Sequence, residues 1–195
     1  MFRTSLLMSL VLLGCAENEA PFKAPPPPGE VVKSEKARIT SQAPQAVFDG
    51  VMRSNTETAL ALHRKLVEGD DNLFFSPLSI QSVLGMVAGG ARGDTATQLG
   101  RVLPLQNAAD YHRSMNQLDL ELASRGANST GAAGEPFAFV RLNQLFVDER
   151  QTIDAAYLDL LSEEYGAGVQ RLAIASDPAA AQTTINQWVS QATRT

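Results

Sequence analysis

The sequence predicts an α+β domain over residues 46–195. Several stretches carry apolar residues at helical spacing between capping residues. Three apolar runs fit strands, and the longest of these three, Phe137–Val147, is apolar on both faces. A strand with two apolar faces is typical of a sheet that is covered on both sides. We therefore expect helices and strands to share one packed domain around a large sheet.

The first 14 residues have the pattern of an export signal. Arg3 supplies positive charge, Leu6–Leu13 forms a short apolar core, and Leu12-Leu13-Gly14-Cys15 resembles a bacterial lipobox. In that motif the Cys15 thiol takes a lipid, so we expect acylated Cys15 to anchor the exported chain in the membrane of the cell envelope. Ala16 stands where lipoproteins retained in the inner membrane carry an aspartate, so the outer membrane is favoured. Both the periplasmic side and the surface side of that membrane stay open. The alternative is an ordinary cleaved secretory signal.

Residues 15–45 are predicted to form a proline-rich tether. The run Pro25–Pro28 lies at their centre, and charged residues follow from Lys33 to Arg38. Such a segment buries little apolar surface and favours extended polyproline geometry. We expect it to act as a spacer between the anchor and the domain.

The composition excludes several classes of function. Cys15 is the only cysteine, so the chain can form neither an internal disulfide nor a cysteine-based metal cluster. The net charge is −5, which leaves no basic face for nucleic acid. His63 and His112 are separate, and we expect them at the surface or a boundary, without a metal. No motif of a serine hydrolase is present, and no cofactor is expected.

The first predicted helix covers about Asn55 to Glu68. Ser54 and Glu57 fit a capping box at its start, and Gly69 is expected to end it. The apolar run Asn72–Phe75 then predicts a buried strand. Ser76-Pro77 predicts the start of a second helix, because serine is a good N-cap and proline is favoured in the first turn. Gly89-Gly90 is expected to close this helix.

Two further helices follow in the middle of the chain. Thr95 and Gln98 fit another capping box, before a short helix that stops at Pro104. The next helix is predicted from Ala109 to Arg125, since its apolar residues are spaced by four, three and four. These residues are Tyr111, Met115, Leu118 and Leu122.

The last part of the chain returns to the sheet and then to helices. After the strand Phe137–Val147, a fifth helix is predicted to end at Gly166, and a short strand covers Val169–Ile174. Asp177-Pro178 is expected to begin a last helix. Its apolar face, which includes Trp188, must lie on an apolar surface.

Several of these motifs resemble the N-terminal portion of the serpin family. They are Asn72–Ile80, Gly90–Thr95, Gln98-Leu99 and Ile185–Val189. The order of elements from about Val47 onward is also similar to serpin helices A to F with part of sheet A. The resemblance therefore implies an incomplete serpin fold, in which Phe137–Val147 corresponds to strand two of sheet A.

The resemblance also implies a set of structural residues. Ser76, Ser79 and Asn186 match positions near the shutter of the family, beneath the point where sheet A parts. Asn143 and Trp188 match motif positions of the fold. The two serines also have a local interpretation, which is compatible with the shutter role: Ser76 would cap the helix, and Ser79 would satisfy backbone groups in its first turn.

The function that the resemblance implies is inhibition of a serine peptidase, or of a cysteine peptidase, rather than enzymatic catalysis. Serpins act through a reactive-centre loop that a peptidase cleaves and that then inserts into sheet A as a new strand. That loop lies beyond Thr195 in the family, so we expect no reactive centre among these residues. The competing hypothesis is a non-inhibitory, truncated serpin-like lipoprotein that serves as a binding fragment or is a gene remnant.

Overall fold

The computed structural model describes residues 23–67, 69, 72–125 and 141–193. Within these ranges, the chain forms six α-helices, one 3-10 turn and a small three-stranded sheet. Cys15 and residues 137–140 of the predicted long strand lie outside the described residues. The elements are β1 (Glu30–Val32), α1 (Gln45–Leu66), α2 (Pro77–Gly90), α3 (Gly93–Leu99), a 3-10 turn (Leu105–Asn107), α4 (Ala108–Arg125), β2 (Leu145–Asp148), α5 (Ala155–Tyr165), β3 (Val169–Leu172) and α6 (Pro178–Thr193).

Local signals fix the ends of three helices as the sequence predicts. Ser76 caps α2 and accepts a hydrogen bond from the backbone N–H of Ser79. Gly166 ends α5 with a φ of 60°, a left-handed conformation that glycine adopts without steric cost. The carboxylate of Asp177 accepts the N–H of Ala180 at 2.9 Å and caps α6.

The first helix corrects the prediction made from its capping box. α1 begins at Gln45, so Ser54 and Glu57 lie within the helix rather than at its start. Residues 46–52 continue the helical pattern and bury Val51, which favours the longer helix. Thr95 likewise lies inside α3, which has no side-chain cap.

The prediction that Asn72–Phe75 forms a buried strand is wrong. These residues form no strand, and the side chain of Phe74 is 99% exposed. A strand needs a neighbour to satisfy its backbone groups, and no strand in the described ranges pairs with this segment. The apolar run alone could not supply that neighbour.

The sheet has the strand order β1-β3-β2. β2 runs parallel to β3, with Leu145 opposite Val169, and β1 runs antiparallel to β3, with Val32 opposite Val169. β2 is therefore a terminal strand of the described sheet. The described part of Phe137–Val147 enters the sheet only from Leu145, and the expected large sheet is not present among the described residues.

The core lies where α2 packs against α4 and α5. Tyr111 and Met115 of α4 are buried as predicted, and Leu161 of α5 is fully buried. α2 turns Gly85 and Met86 inward, whereas the larger apolar side chains of Ile80 and Val87 are more than a third exposed. The side of α2 that carries Gly85 is buried because the bulky rings of Tyr111 and Tyr165 fill the space beside it.

The predicted tether is packed over much of its described length. Residues 30–32 form β1, and residues 34–43 make hydrogen bonds to α4 and α5. The domain boundaries stay a prediction. However, the segment between residues 30 and 43 lies on the domain instead of acting as a free spacer.

Candidate functional site

A largely apolar groove lies between the start of α2, residues 141–146 and α6. Its volume is about 770 Å³. Four of the residues selected from the sequence line it together, namely Ser76, Ser79, Asn143 and Trp188. Asn186, the fifth, is exposed on α6 and does not line the groove.

The two serines form a compact pair at the first turn of α2. The Ser76 hydroxyl accepts the N–H of Ser79 at 3.3 Å and donates to the Ser79 hydroxyl, with 2.9 Å between the two oxygens. The capping role proposed for Ser76 is therefore confirmed. The shutter-like role of Ser76, Ser79 and Asn186 stays a prediction, since it concerns movement of the sheet.

Charged side chains fix the chain around Asn143 to α4. Arg141 pairs with the carboxylate of Asp119 and also donates to the backbone carbonyl of Asp119 at 2.9 Å. Arg38 donates to the second oxygen of the same carboxylate at 2.8 Å. Asn143 is half-buried between the groove and a smaller cavity of about 140 Å³ that Asp119 and Arg141 also line. Because the Asp119 carboxylate accepts from two guanidinium groups, the chain at Arg141 is held firmly against α4 on this side of the groove.

Trp188 forms the opposite wall and is 8% exposed. Its ring meets the ring of Phe146 edge to face, with 5.8 Å between the centroids. The indole Nε1–H donates to the backbone carbonyl of Pro25 at 3.0 Å. Trp188 thus rests on β2, as an apolar helix face must, and its polar atom is satisfied by the proline-rich segment.

This geometry suits binding rather than chemistry on a substrate. The groove offers hydroxyl and amide groups, together with the exposed ring of Phe74, on an apolar floor. Its wall includes Phe146 of β2, the terminal strand whose second edge has no partner strand in the described ranges. An unpaired edge beside an apolar surface can accept a further strand, because both backbone and side-chain groups find partners.

The structure also reveals a buried polar cluster that the sequence analysis missed. His112 was expected at the surface or a boundary, but it is 3% exposed. Its Nδ1 forms a hydrogen bond of 2.7 Å with the Tyr165 hydroxyl. Burial lowers the pKa of His112, and the negative charge of Glu164 partly opposes this shift. The sequence did contain a signal for this burial, because His112 directly follows Tyr111, a residue of the buried stripe of α4.

The neighbouring Arg113 and Glu164 join the same two helices. The Arg113 guanidinium donates to both oxygens of Glu164, at 2.8 to 3.0 Å. This bidentate pair raises the pKa of Arg113. It sits beside His112 and fixes the register of α4 on α5.

Metal and membrane features were searched in the described residues. No group of three or more His, Cys, Asp or Glu side chains there is arranged to hold a metal ion. Among the same residues, none of the helices combines the length and the apolar character required to cross a bilayer.

Several known proteins are similar to this chain, and they share one family. The family model described as Serpin (serine protease inhibitor) matches residues 53–195. The chain is similar to bovine (Bos taurus) Serpin B8, with 33% identity over 149 residues, which cover 75% of this chain and 37% of that protein. It is also similar to an uncharacterized serpin-like protein of Thermococcus kodakarensis, with 29% identity over 99% of this chain and 46% of that protein.

The fold has a counterpart among solved structures. The native stressed conformation of Arabidopsis AtSerpin1 matches with a TM-score of 0.52 and 21% identity, over 78% of this chain and 38% of that one. At this identity the likeness concerns the fold alone. The chain spans less than half the length of the relatives that it matches.

Proposed function

Because the chain belongs to the serpin family, we propose that it is the N-terminal part of a serine-type endopeptidase inhibitor that works at the bacterial envelope. The match of the family model to residues 53–195 carries this proposal. Relatives with the same domain include the leukocyte elastase inhibitor of Equus caballus, which is 32% identical over 138 residues. The inhibited peptidase would be a serine peptidase, and a cysteine peptidase is the alternative target.

The groove supports this proposal through its chemistry. Inhibition in this family, as the resemblance implies, depends on adding a strand to a sheet. β2 ends the described sheet, and Asn143, Phe146 and Trp188 line the surface beside it. A strand that added here would gain backbone hydrogen bonds at the edge and bury apolar side chains in the groove. Asn143, Phe146 and Trp188 would hold the sheet in position, and none of these three residues would react with the peptidase.

The test is formation of a covalent complex. The protein expressed from its complete reading frame would be incubated with trypsin, chymotrypsin and subtilisin, and the products separated in SDS. We expect a band at the combined size of inhibitor and one of these peptidases, which resists boiling. Each peptidase with its catalytic serine blocked beforehand is the control. Cleavage of the chain by all three peptidases without any such band would overturn the inhibitory function.

The second candidate is a non-inhibitory serpin-like protein that binds a partner through the groove. The observation that favours it is the exposed side of the groove, where Phe74 is 99% exposed. Phe74 continues the apolar lining of the groove, and a contiguous exposed apolar surface is typical of a contact site. Under this alternative the protein would leave every peptidase active and would lose partner binding on Phe74→Ser.

The anchor is proposed on the sequence pattern at Cys15. A lipid on the Cys15 sulfur would hold the chain in the membrane of the envelope. Cells fed an alkyne-labelled fatty acid are expected to label the wild-type protein and not Cys15→Ala, and the variant is expected to move to the soluble fraction. Equal labelling of both proteins would refute the anchor without affecting the family assignment.

A further inference from the structure

Residues 23–43, here called the clasp, run across the domain between Trp188 and the start of α1. β1 lies within the clasp and pairs with β3, and its register places Glu30 opposite Arg171 and Val31 opposite Gln170. Because β2 occupies the other edge of β3, the clasp fills the remaining edge. Without it, the backbone groups of β3 on that side would be open to another strand.

Charged and polar contacts hold the clasp to α4. The Arg38 guanidinium donates to Asn116 Oδ1 and to Asp119 Oδ2, both at 2.8 Å. Asn116 in turn donates to the Ile39 carbonyl at 2.7 Å. The Ala43 N–H donates to Gln117 Oε1 at 3.0 Å. Asn116, Gln117 and Asp119, which lie within about one turn of α4, therefore serve the clasp backbone and Arg38.

A second set of contacts holds the clasp to α5. The Lys36 ammonium lies 3.2 Å from Asp159 and 3.4 Å from Glu163. The Ser34 hydroxyl donates to Asp159 at 2.5 Å, and the Ile39 N–H donates to the Glu163 carbonyl at 2.9 Å. The clasp thus bridges two helices as well as the sheet.

Two glycines on the domain make room for the clasp. A Cβ at Gly168 would lie 2.8 Å from the Val32 carbonyl oxygen and 2.9 Å from Lys33 Cβ. A Cβ at Gly166 would lie 2.9 Å from Arg38 Cδ, and Gly166 also has positive φ. Side chains at either position would push the clasp outward.

The clasp is attached mainly by polar contacts and not by apolar burial. Val31 is 52% exposed, and Ala43, close to α1, is the one buried apolar residue of the segment. Segments with little buried apolar surface open locally at lower free energy than the core. This distribution of burial favours opening of the clasp at a lower free energy than unfolding of the core around Tyr111 and Leu161.

We propose that residues 23–43 are a releasable clasp that closes the free edge of β3, and that releasing it exposes an edge that accepts an extended strand from a second copy of this chain. The second copy is the natural partner because its own residues 30–32 carry the sequence that fits this edge in the same register. Exchange of identical strands between copies needs no new complementary surface.

The single tryptophan offers a direct probe of release. Trp188 is the only tryptophan in the chain, and its Nε1 is bonded to Pro25 within the clasp. In the full-length protein, Gly168→Ala and Arg38→Gln are expected to increase quenching of Trp188 by acrylamide. Trypsin cleavage after Lys33 and Lys36 should become faster by on the order of tenfold, because Arg38→Gln removes hydrogen bonds to a charged group and Gly168→Ala places its Cβ against the Val32 carbonyl oxygen.

Matched controls separate release from general destabilisation. Gly50→Ala changes a glycine with no atom within 4 Å of the added Cβ, and Arg53→Gln removes an exposed positive charge from α1. Both should quench and cleave like the wild type. The core is followed in parallel by the circular dichroism of the helices.

The oligomeric state tests the second half of the proposal. Arg38→Gln leaves the contact of residues 30–32 with β3 unchanged, so this variant is expected to form dimers at rising concentration, and addition of a peptide with the sequence of residues 28–36 should reduce the dimer. Gly168→Ala should stay monomeric, because its Cβ would clash with Val32 of a second copy as it does with its own. If both variants quench and cleave like the wild type, or lose helices together with the clasp, the clasp is not a separate unit. If Arg38→Gln releases the clasp but stays monomeric, the strand-accepting edge is refuted.

Discussion

Replacing Gly85 by alanine tests how closely α2 lies against α4 and α5. The added Cβ would lie 2.7 Å from the Tyr165 hydroxyl and 2.8 Å from Tyr111 Cε1, both below ordinary van der Waals contact. Tyr165 cannot yield freely, because its hydroxyl is bonded to buried His112. The Tyr111 hydroxyl is tied to the Gln81 carbonyl on α2 at 3.1 Å.

Two opposing effects set the expected size of the change. Alanine is favoured over glycine inside a helix by about 1 kcal/mol. Overpacking a tight core costs about 1–3 kcal/mol. We therefore expect Gly85→Ala to lower the free energy of unfolding by up to about 2 kcal/mol, which corresponds to a fall in Tm of a few degrees for a chain of this length.

Gly50→Ala is the matched control, because it has the same gain in helix propensity and no atom within 4 Å of its new Cβ. We expect it to raise the free energy of unfolding by up to about 1 kcal/mol. Both variants would be unfolded in urea and followed by circular dichroism at 222 nm. If Gly85→Ala is as stable as Gly50→Ala, the close packing of α2 described above is wrong.

Three other predictions follow from the same contacts. Leu161→Ala removes a fully buried side chain from α5 and should lower the free energy of unfolding by about 3–5 kcal/mol, measured by urea unfolding, where a loss below about 1 kcal/mol would contradict its place in the core. Ser76→Ala should lower it by about 0.5–2 kcal/mol through loss of the cap, and Ser79→Ala, which keeps the capping oxygen, should lower it less. His112 has a folded pKa below its usual value of 6.5, so the unfolded chain binds the proton more readily. Stability should therefore be fully present above about pH 6.5 and decline as the pH falls below it, and a His112→Gln variant with the same decline would show that other groups cause it.

The sequence alone predicted the elements whose ends carry strong local signals. Ser76-Pro77, Gly166 and Asp177-Pro178 each define a helix end through a contact within one turn, so no distant residue was needed. The stripe of Tyr111 and Met115 on α4 was also correct, because spacing within one helix decides which face is apolar.

The failures concern contacts between distant residues. The run Asn72–Phe75 is apolar, but whether it becomes a strand depends on a neighbour that its own residues cannot specify. The proline-rich segment was predicted as a spacer since it is polar, yet Arg38 and Ile39 find partners on α4 and α5 that lie more than 75 residues away in the sequence. Local composition does not reveal such pairings.

The candidate site could be predicted only in part, because it also depends on contacts between distant residues. Family motifs selected Ser76, Ser79, Asn143 and Trp188, and the fold brings these four to one groove. Asn186 points elsewhere, and the Arg38–Asp119–Arg141 contact was not foreseen. The motifs identify single positions, whereas the groove is made by packing α6 and α2 around the chain at residues 141–146.

The most direct test of the proposed function is the intact mass of the product formed with a serine peptidase. The protein from its complete reading frame would be mixed with an equimolar amount of the peptidase that it inhibits best, and the mixture measured by mass spectrometry under denaturing conditions. Inhibition by loop insertion predicts a species whose mass equals the sum of both proteins less one peptide released from the C-terminal side of the cleaved bond. Recovery of unmodified, fully active peptidase together with a cleaved chain would contradict the proposal that this serpin-family chain is part of an inhibitor.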